Sequence, residues 1–249
     1  MPSEQFHVVI PARYASTRLP GKPLIDLAGR AMVLHVANRA RASGAAEVVV
    51  ATDHPEIADV VVDAGFAAEM TSIDHASGSD RVMEVVSRRG WREDSVVVNV
   101  QGDEPLIPPA VIRQLGTALA ANLNLGAATL CEAEQDPLGF SDPNVVKVVR
   151  GAGQQALYFS RAPIPHARNG NAVPPVWLRH VGIYAYRVEV LKRFVALPPS
   201  PLEQLESLEQ LRLLENGIGL CVLDACERVP GGVDTPSDVA RVLALLATR

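Results

Sequence analysis

Lysine is nearly missing from this chain: Lys22, Lys147 and Lys192 are the only three in 249 residues, against 28 acidic side chains. The formal net charge of −5 argues against a nucleic-acid partner, which needs a basic face. No apolar run approaches the roughly 18 uncharged residues of a membrane helix. The opening MPSEQFHVVI has no basic stretch leading into an apolar one, so a secretory signal is not expected. Cys131, Cys221 and Cys226 form an odd set without zinc-pair spacing, which predicts reduced, mostly buried thiols in a cytoplasmic protein. The six histidines are scattered, and neither H-E-x-x-H nor a G-x-S-x-G elbow occurs, so zinc catalysis and a serine triad have no support. Also absent are the G-x-x-x-x-G-K-[ST] of a P-loop and the G-x-G-x-x-G of a dinucleotide binder.

What is present begins with Pro11 to Pro23, PARYASTRLPGKP, which follows the apolar strand Phe6 to Ile10. Arg13, Arg18 and Lys22 sit on this loop with Pro20 and Gly21. Ligands of open α/β sheets bind off the carboxyl ends of strands, and arginine forks with a lysine point charge hold phosphate oxygens. Without a glycine-rich cradle, side-chain cations must do most of the neutralising. A solvated loop whose arginines pair with surface acids is the plainer alternative. The loop therefore points to a nucleotide-using transferase.

The remaining pattern is βα alternation followed by a mixed region. Apolar spacing predicts a helix near Ala31 to Arg41, closed by Gly44, with Met32, Val33, Val36, Ala37 and Ala40 on one stripe. Glu47 to Ala51 and Ser95 to Val100 read as strands buried on both faces of a parallel sheet. Further helices are expected near Pro55 to Ala64, Asp80 to Arg89 and Pro109 to Ala121. The second half is strand-rich (Gly126 to Leu130, Val145 to Val149, Ala156 to Phe159, His180 to Tyr186), with a loop at Arg168 to Pro175. A single helix over Leu202 to Glu215, a strand at Leu220 to Leu223 and a helix from Pro236 to Ala247 complete the reading. The fold class expected is α/β, a doubly wound sheet with an inserted or appended β-rich part.

Three further groups carry chemistry. Asp103 ends a buried strand directly after Gly102, Asp234 precedes the last helix two residues after Gly232, and Mg²⁺ in phosphoryl transfer takes one or two protein carboxylates. Asp103 also reads as a turn residue, and Thr235, Pro236 and Asp238 read as a capped helix start. In Ala76 to Arg81 (ASGSDR), Ser77 or Ser79 caps a helix while Gly78 leaves room for a planar base. His180, Gly182 and Tyr184 share one face of a strand and Arg161 lies nearby, a polar grouping suited to a sugar pocket or to ordinary core polarity.

The segments VVIPARYASTRLPGKPL, VVVATDH, VNVQGDEPLIPP, NVVKVV, ALYFSRAPIP, RHVGIYAYR, PSPLEQLESLEQLRLLE and GVDTPSDVARV, spanning Val8 to Val242, together resemble the 3-deoxy-manno-octulosonate (Kdo) cytidylyltransferases. The resemblance implies a Rossmann-like, GT-A-like nucleotidyltransferase domain with a mostly parallel sheet. It divides into a CTP-binding βα half over about 1–125, a β-rich sugar-binding and dimer part over about 126–200, and a helix and C-terminal return over about 201–249. It implies that CTP and Kdo give CMP-Kdo and pyrophosphate with Mg²⁺, for lipopolysaccharide synthesis, in a cytoplasmic homodimer. By that resemblance Pro11, Ala12, Arg13, Arg18, Lys22, Ala76, Ser77, Gly78 and Arg81 meet CTP. Gln101, Arg161, His180, Tyr184, Glu209 and Gln210 meet Kdo, Asp103 and Asp234 hold the metal, and Arg13 and Lys22 join them in catalysis. Pro165 to Arg168 departs from the aromatic or acidic residues many relatives carry there. A sialic-acid cytidylyltransferase is the nearest rival, disfavoured because the loop is not of the glycine-rich IPARGGSKG form; a non-catalytic nucleotide-binding regulator is the other.

Overall fold

The computed structural model describes residues 5–15, 19–168 and 174–247. Arg18 and most of the expected Arg168 to Pro175 loop lie outside these. Four parallel strands form one half of the sheet: β1 (Phe6–Ala12), β2 (Glu47–Thr52), β3 (Ala67–Met70) and β4 (Val96–Asn99). The other half contains β5 (Ala127–Glu134), β6 (Lys147–Arg150), β7 (Ala156–Ser160), β8 (Trp177–Arg187) and β9 (Cys221–Asp224). The order is β3-β2-β1-β4-β8-β5-β9, with β8 antiparallel to both neighbours and the β6–β7 hairpin branching from β8.

The continuous apolar strands are explained by helices on both faces. Along β1, Val8 and Ile10 enter one core while Val9 enters the other; along β4, Val96 and Val98 part from Val97 in the same way. One layer holds α1 (Met32–Ala42), α2 (Pro55–Asp63) and α4 (Pro109–Ala121), through Val33, Val36, Ile57, Val61, Ile112 and Leu115. The other holds α3 (Gly78–Arg89), through Val82 and Val85. Each buried Val or Leu contributes roughly 1.5–3 kcal/mol, so this two-sided burial dominates the stability of the sheet. The doubly wound α/β arrangement is the one expected.

Two short helices, α5 (Pro137–Ser141) and α6 (Val188–Val195), were not anticipated; α6 buries Val188, Leu191 and Phe194. The expected helix over Leu202 to Glu215 is divided into α7 (Pro201–Glu206) and α8 (Leu211–Glu215). Ser207 takes a left-handed conformation with φ 51°, which ends α7. Leucine spacing could not reveal this break, because it is set by the backbone at Ser207 and not by the leucines, of which Leu208 and Leu211 are buried and Leu205 is exposed. The chain closes with α9 (Pro236–Ala247), whose Val242 seals a small cluster with Leu27, Met32, Leu106 and Val233.

Candidate active site

The strand order reverses between β1 and β4, because β1 leads outward to β2 while β4 faces the second half. Such a switch point is where open α/β sheets leave a crevice. Here it is a cleft of about 360 Å³, with Pro11, Ala12 and Arg13 on the β1 side and Gln101, Gly102 and Asp103 on the β4 side. The loop after β1 turns back at Gly21, whose φ of 64° favours glycine, and a single 3₁₀ turn, Lys22–Leu24, follows. That turn aims Lys22 into the cleft. Its Nζ donates to Asp103 Oδ2 at 2.6 Å and to Asp234 Oδ1 at 3.0 Å. Burial alone draws the pKa of the ammonium down, but the two carboxylates outweigh it and the net shift is upward.

Asp234 arrives from the opposite end of the chain by a close backbone crossing. Val233 N–H donates to the Asp103 carbonyl at 2.9 Å, and Gly232 passes so near that a Cβ there would lie 3.0 Å from the same oxygen. The two readings of this segment are both realised. Thr235 and Asp238 exchange hydrogen bonds as a capping box ahead of α9, while the Asp234 carboxylate turns to Lys22. Beside it stands the half-buried Glu104; desolvation and then the charge of Asp103 push its carboxyl up to about 8.

The opposite wall is the first turn of α3. Ser77 caps it and forms a reciprocal capping box with Asp80, and Gly78 faces the cleft, where a Cβ would sit 3.4 Å from Pro11 Cγ and 3.5 Å from the Gln101 amide. Arg13 Nη2 donates across the cleft to the Ala76 carbonyl at 3.2 Å. Beyond Gln101 the polar residues of the second half converge on the same turn. Glu209 lies beside the Ser77 and Ser79 hydroxyls, and burial raises the pKa of its carboxyl. Glu209 Oε1 and Gln210 Nε2 are buried without a hydrogen-bond partner, an arrangement that ordinarily costs about 1–3 kcal/mol per group. His180 and Tyr184 do share one face of β8, their rings 5.5 Å apart. His180 Nε2 meets Thr129 Oγ1 at 3.0 Å, and burial, assisted by Arg179, drives its pKa down to about 3. It is therefore neutral at physiological pH.

The sequence of this arrangement has close relatives. A cytidylyltransferase family profile matches residues 7–224. The 3-deoxy-manno-octulosonate cytidylyltransferase of Cellvibrio japonicus (strain Ueda107) is 53% identical over 249 residues, covering 97% of this chain and 98% of the relative. The chain belongs to the 3-deoxy-manno-octulosonate cytidylyltransferase family. The enzyme of the same name from Alcanivorax borkumensis is also 53% identical, over 247 residues. A solved CMP:2-keto-3-deoxy-manno-octonic acid synthetase in complex with CTP superposes with a TM-score of 0.90 at 46% identity, covering 98% of this chain and 99% of that one. As a member of this family the chain is a nucleotidyltransferase. Among the described residues no helix is long and apolar enough to cross a membrane.

Of the residues expected to meet ligand or metal, the structure brings Arg13, Lys22, Gly78, Gln101, Asp103 and Asp234 to one cleft. It places two arginines elsewhere. Arg81 is fully buried behind the first turn of α3, with Nη2 on Asp53 at 3.0 Å and Nη1 on the Thr71 hydroxyl. Arg161 gives its guanidinium to the carbonyls of Pro143, Glu206 and Ser207. Both therefore shape the walls in this structure. The sequence reading assigned no role to Asp53 or Glu104, although each sits in a quoted segment (VVVATDH, VNVQGDEPLIPP) at the carboxyl end of a strand. It likewise missed Arg179 and Arg241, which with Asn144 and His180 line a second cavity of about 590 Å³ sharing Asp103 and Asp234 with the first.

Proposed function

We propose that the chain transfers the cytidylyl group of CTP to the anomeric hydroxyl of Kdo, releasing pyrophosphate, with Mg²⁺ held by Asp103 and Asp234. The observation that carries this reading is the meeting of both carboxylates at the Lys22 ammonium, 2.6 and 3.0 Å away, on the floor of the cleft. Two hard carboxylate oxygens converging where a cation already rests suit Mg²⁺, which usually takes one or two carboxylates and completes its shell with phosphate and water. Bound there, Mg²⁺ supplies the positive charge that makes the sugar hydroxyl more acidic and screens the repulsion between two anions.

The chain's own groups then have distinct tasks. Arg13 and Lys22, with Arg18, hold the triphosphate and offset the charge that grows on the leaving pyrophosphate. Pro11, Ala12, Ala76, Ser77 and Gly78 shape the slot for the nucleoside. Attack is direct and in line at the α-phosphorus, with no covalent enzyme intermediate. Glu209 Oε1 and Gln210 Nε2, an acceptor and a donor left without partners, receive sugar hydroxyls together with Gln101, neutral His180 and Tyr184. Arg161 acts on the sugar side through the backbone carbonyls it holds, and Arg81 on the nucleotide side through α3. The reading includes a cytoplasmic homodimer contributing CMP-Kdo to lipopolysaccharide synthesis; exposed Leu157 and Leu205 in the second half support an association surface there.

The test is pyrophosphate release from CTP and Mg²⁺ with Kdo, beside N-acetylneuraminate and no-sugar controls. Release with Kdo alone, abolished by EDTA, is expected. Near-normal turnover of Asp103→Asn at saturating Mg²⁺ would remove the metal assignment, and release with N-acetylneuraminate instead would reassign the sugar.

A further inference from the structure

Asp53 closes β2, on the far side of β1 from β4, and the chemistry just described makes no use of it. Its carboxylate is nevertheless shared between the two walls of the nucleotide cleft. Oδ1 accepts the backbone N–H of Tyr14 at 3.0 Å. Oδ2 accepts from Nη2 of the buried Arg81 at 3.0 Å. Arg81 stands in the first turns of α3, just behind Ser77 and Gly78, and its other terminal nitrogen is fixed by Thr71.

Tyr14 is the residue on which the phosphate loop folds back. Its carbonyl accepts the N–H of Gly21 at 3.2 Å, so the loop's entry at Arg13 and its exit at Lys22 are tied to one point. The adjacent His54 reinforces that point, its ring stacked on the Tyr14 ring at 3.8 Å between centroids and 15° between planes. Holding the ends of this loop in one place costs conformational entropy that its fixed contacts must offset. A carboxylate oxygen is a stronger acceptor for a backbone N–H than a neutral oxygen.

We propose that Asp53 is a positioning residue that sets the triphosphate loop against the base-side turn, gripping Tyr14 with one carboxylate oxygen and Arg81 with the other. The inference rests on the nucleotide reading of the cleft. A merely structural Asp53 would do no more than neutralise Arg81, and the two roles separate when Arg81 is removed. CTP binding is measured by calorimetry for wild type, Arg81→Met, Asp53→Ala and Asp53→Ala with Arg81→Met, beside thermal midpoints and the KM for each substrate. The double variant leaves neither partner of the buried pair uncompensated, and the thermal midpoints report which variants fold even if Asp53→Ala alone does not.

Loss of a charge-assisted hydrogen bond corresponds to roughly tenfold or more in affinity, so Asp53→Ala is expected to weaken CTP binding by at least about that factor in the Arg81→Met background. The KM for Kdo should stay within about twofold. His54→Ala, which leaves the ion pair intact, is expected to weaken CTP binding in the same direction without a matching fall in thermal midpoint. Equal CTP affinity of Arg81→Met and the double variant overturns the proposal. Failure of the wild type to bind CTP overturns the nucleotide reading, and this inference with it.

Discussion

Gly232→Ala is the smallest change that should separate the two carboxylates without touching either. The added Cβ would lie 2.8 Å from Glu104 Oε1, 3.0 Å from the Asp103 carbonyl and 3.1 Å from Glu104 Cδ, where ordinary contact begins at 3.4 Å. The Glu104 carboxyl is the end of a flexible, half-buried side chain and can turn aside. The other obstacle is backbone, which the Val233 N–H already holds at 2.9 Å. Relief must come from moving the Gly231 to Asp234 segment away from Asp103 by a few tenths of an ångström. A misplacement of about 1 Å can cost on the order of 100-fold in rate, so a shift of a few tenths is expected to lower kcat by roughly three- to tenfold. The strain itself should cost about 1–2 kcal/mol and lower the melting temperature by about 2–8 °C. Turnover is followed as pyrophosphate release across a Mg²⁺ titration, with CTP binding measured separately in EDTA. The expected pattern is lower kcat and weaker apparent Mg²⁺ affinity, with metal-free CTP affinity within about twofold of wild type. Unchanged kcat and Mg²⁺ dependence in a folded variant would refute the argument that this crossing sets the carboxylate pair.

Other groups give sharper or more distant effects. Lys22→Met removes the ammonium that meets both acids and is expected to reduce kcat by about 100-fold or more; pyrophosphate release at saturating CTP checks this. His180 has a folded pKa of about 3 against an ordinary 6.5, so the unfolded chain binds its proton first as pH falls. Stability is therefore intact above about pH 6.5 and is lost progressively down towards the folded value, by roughly 2–3 kcal/mol at about pH 4.5. His180→Gln should shrink the stability difference between about pH 7 and pH 4.5 by a comparable amount in urea unfolding.

Much of the architecture was legible because it depends on local rules. Runs such as Val48 to Val50 and Val96 to Val98 must be covered on both faces, which already implies helices above and below a parallel sheet. The start of α3 was legible in part: a helix from Asp80 capped by Ser77 or Ser79 was expected, and the capping box of Ser77 with Asp80 starts it at Gly78. The division of Leu202 to Glu215 was not, because one residue at positive φ ends a helix without altering the spacing of its leucines.

The sequence alone determined the chemical inventory: cations on a loop after the first strand, acids near glycines at Asp103 and Asp234, and a family pattern across nearly the whole chain. Tertiary structure decided which of these meet. Lys22 is 81 residues from Asp103 and 212 from Asp234, and no local propensity encodes a contact across such separations. Only the strand order and the close passage of Gly232 bring them together. Burial was likewise invisible in one dimension. Arg13 and Arg81 are the same residue type in adjacent walls, yet one reaches across the open cleft and the other is enclosed on Asp53 and Thr71. A guanidinium binds ligand or supports a wall according to which partners the packed chain places within its reach.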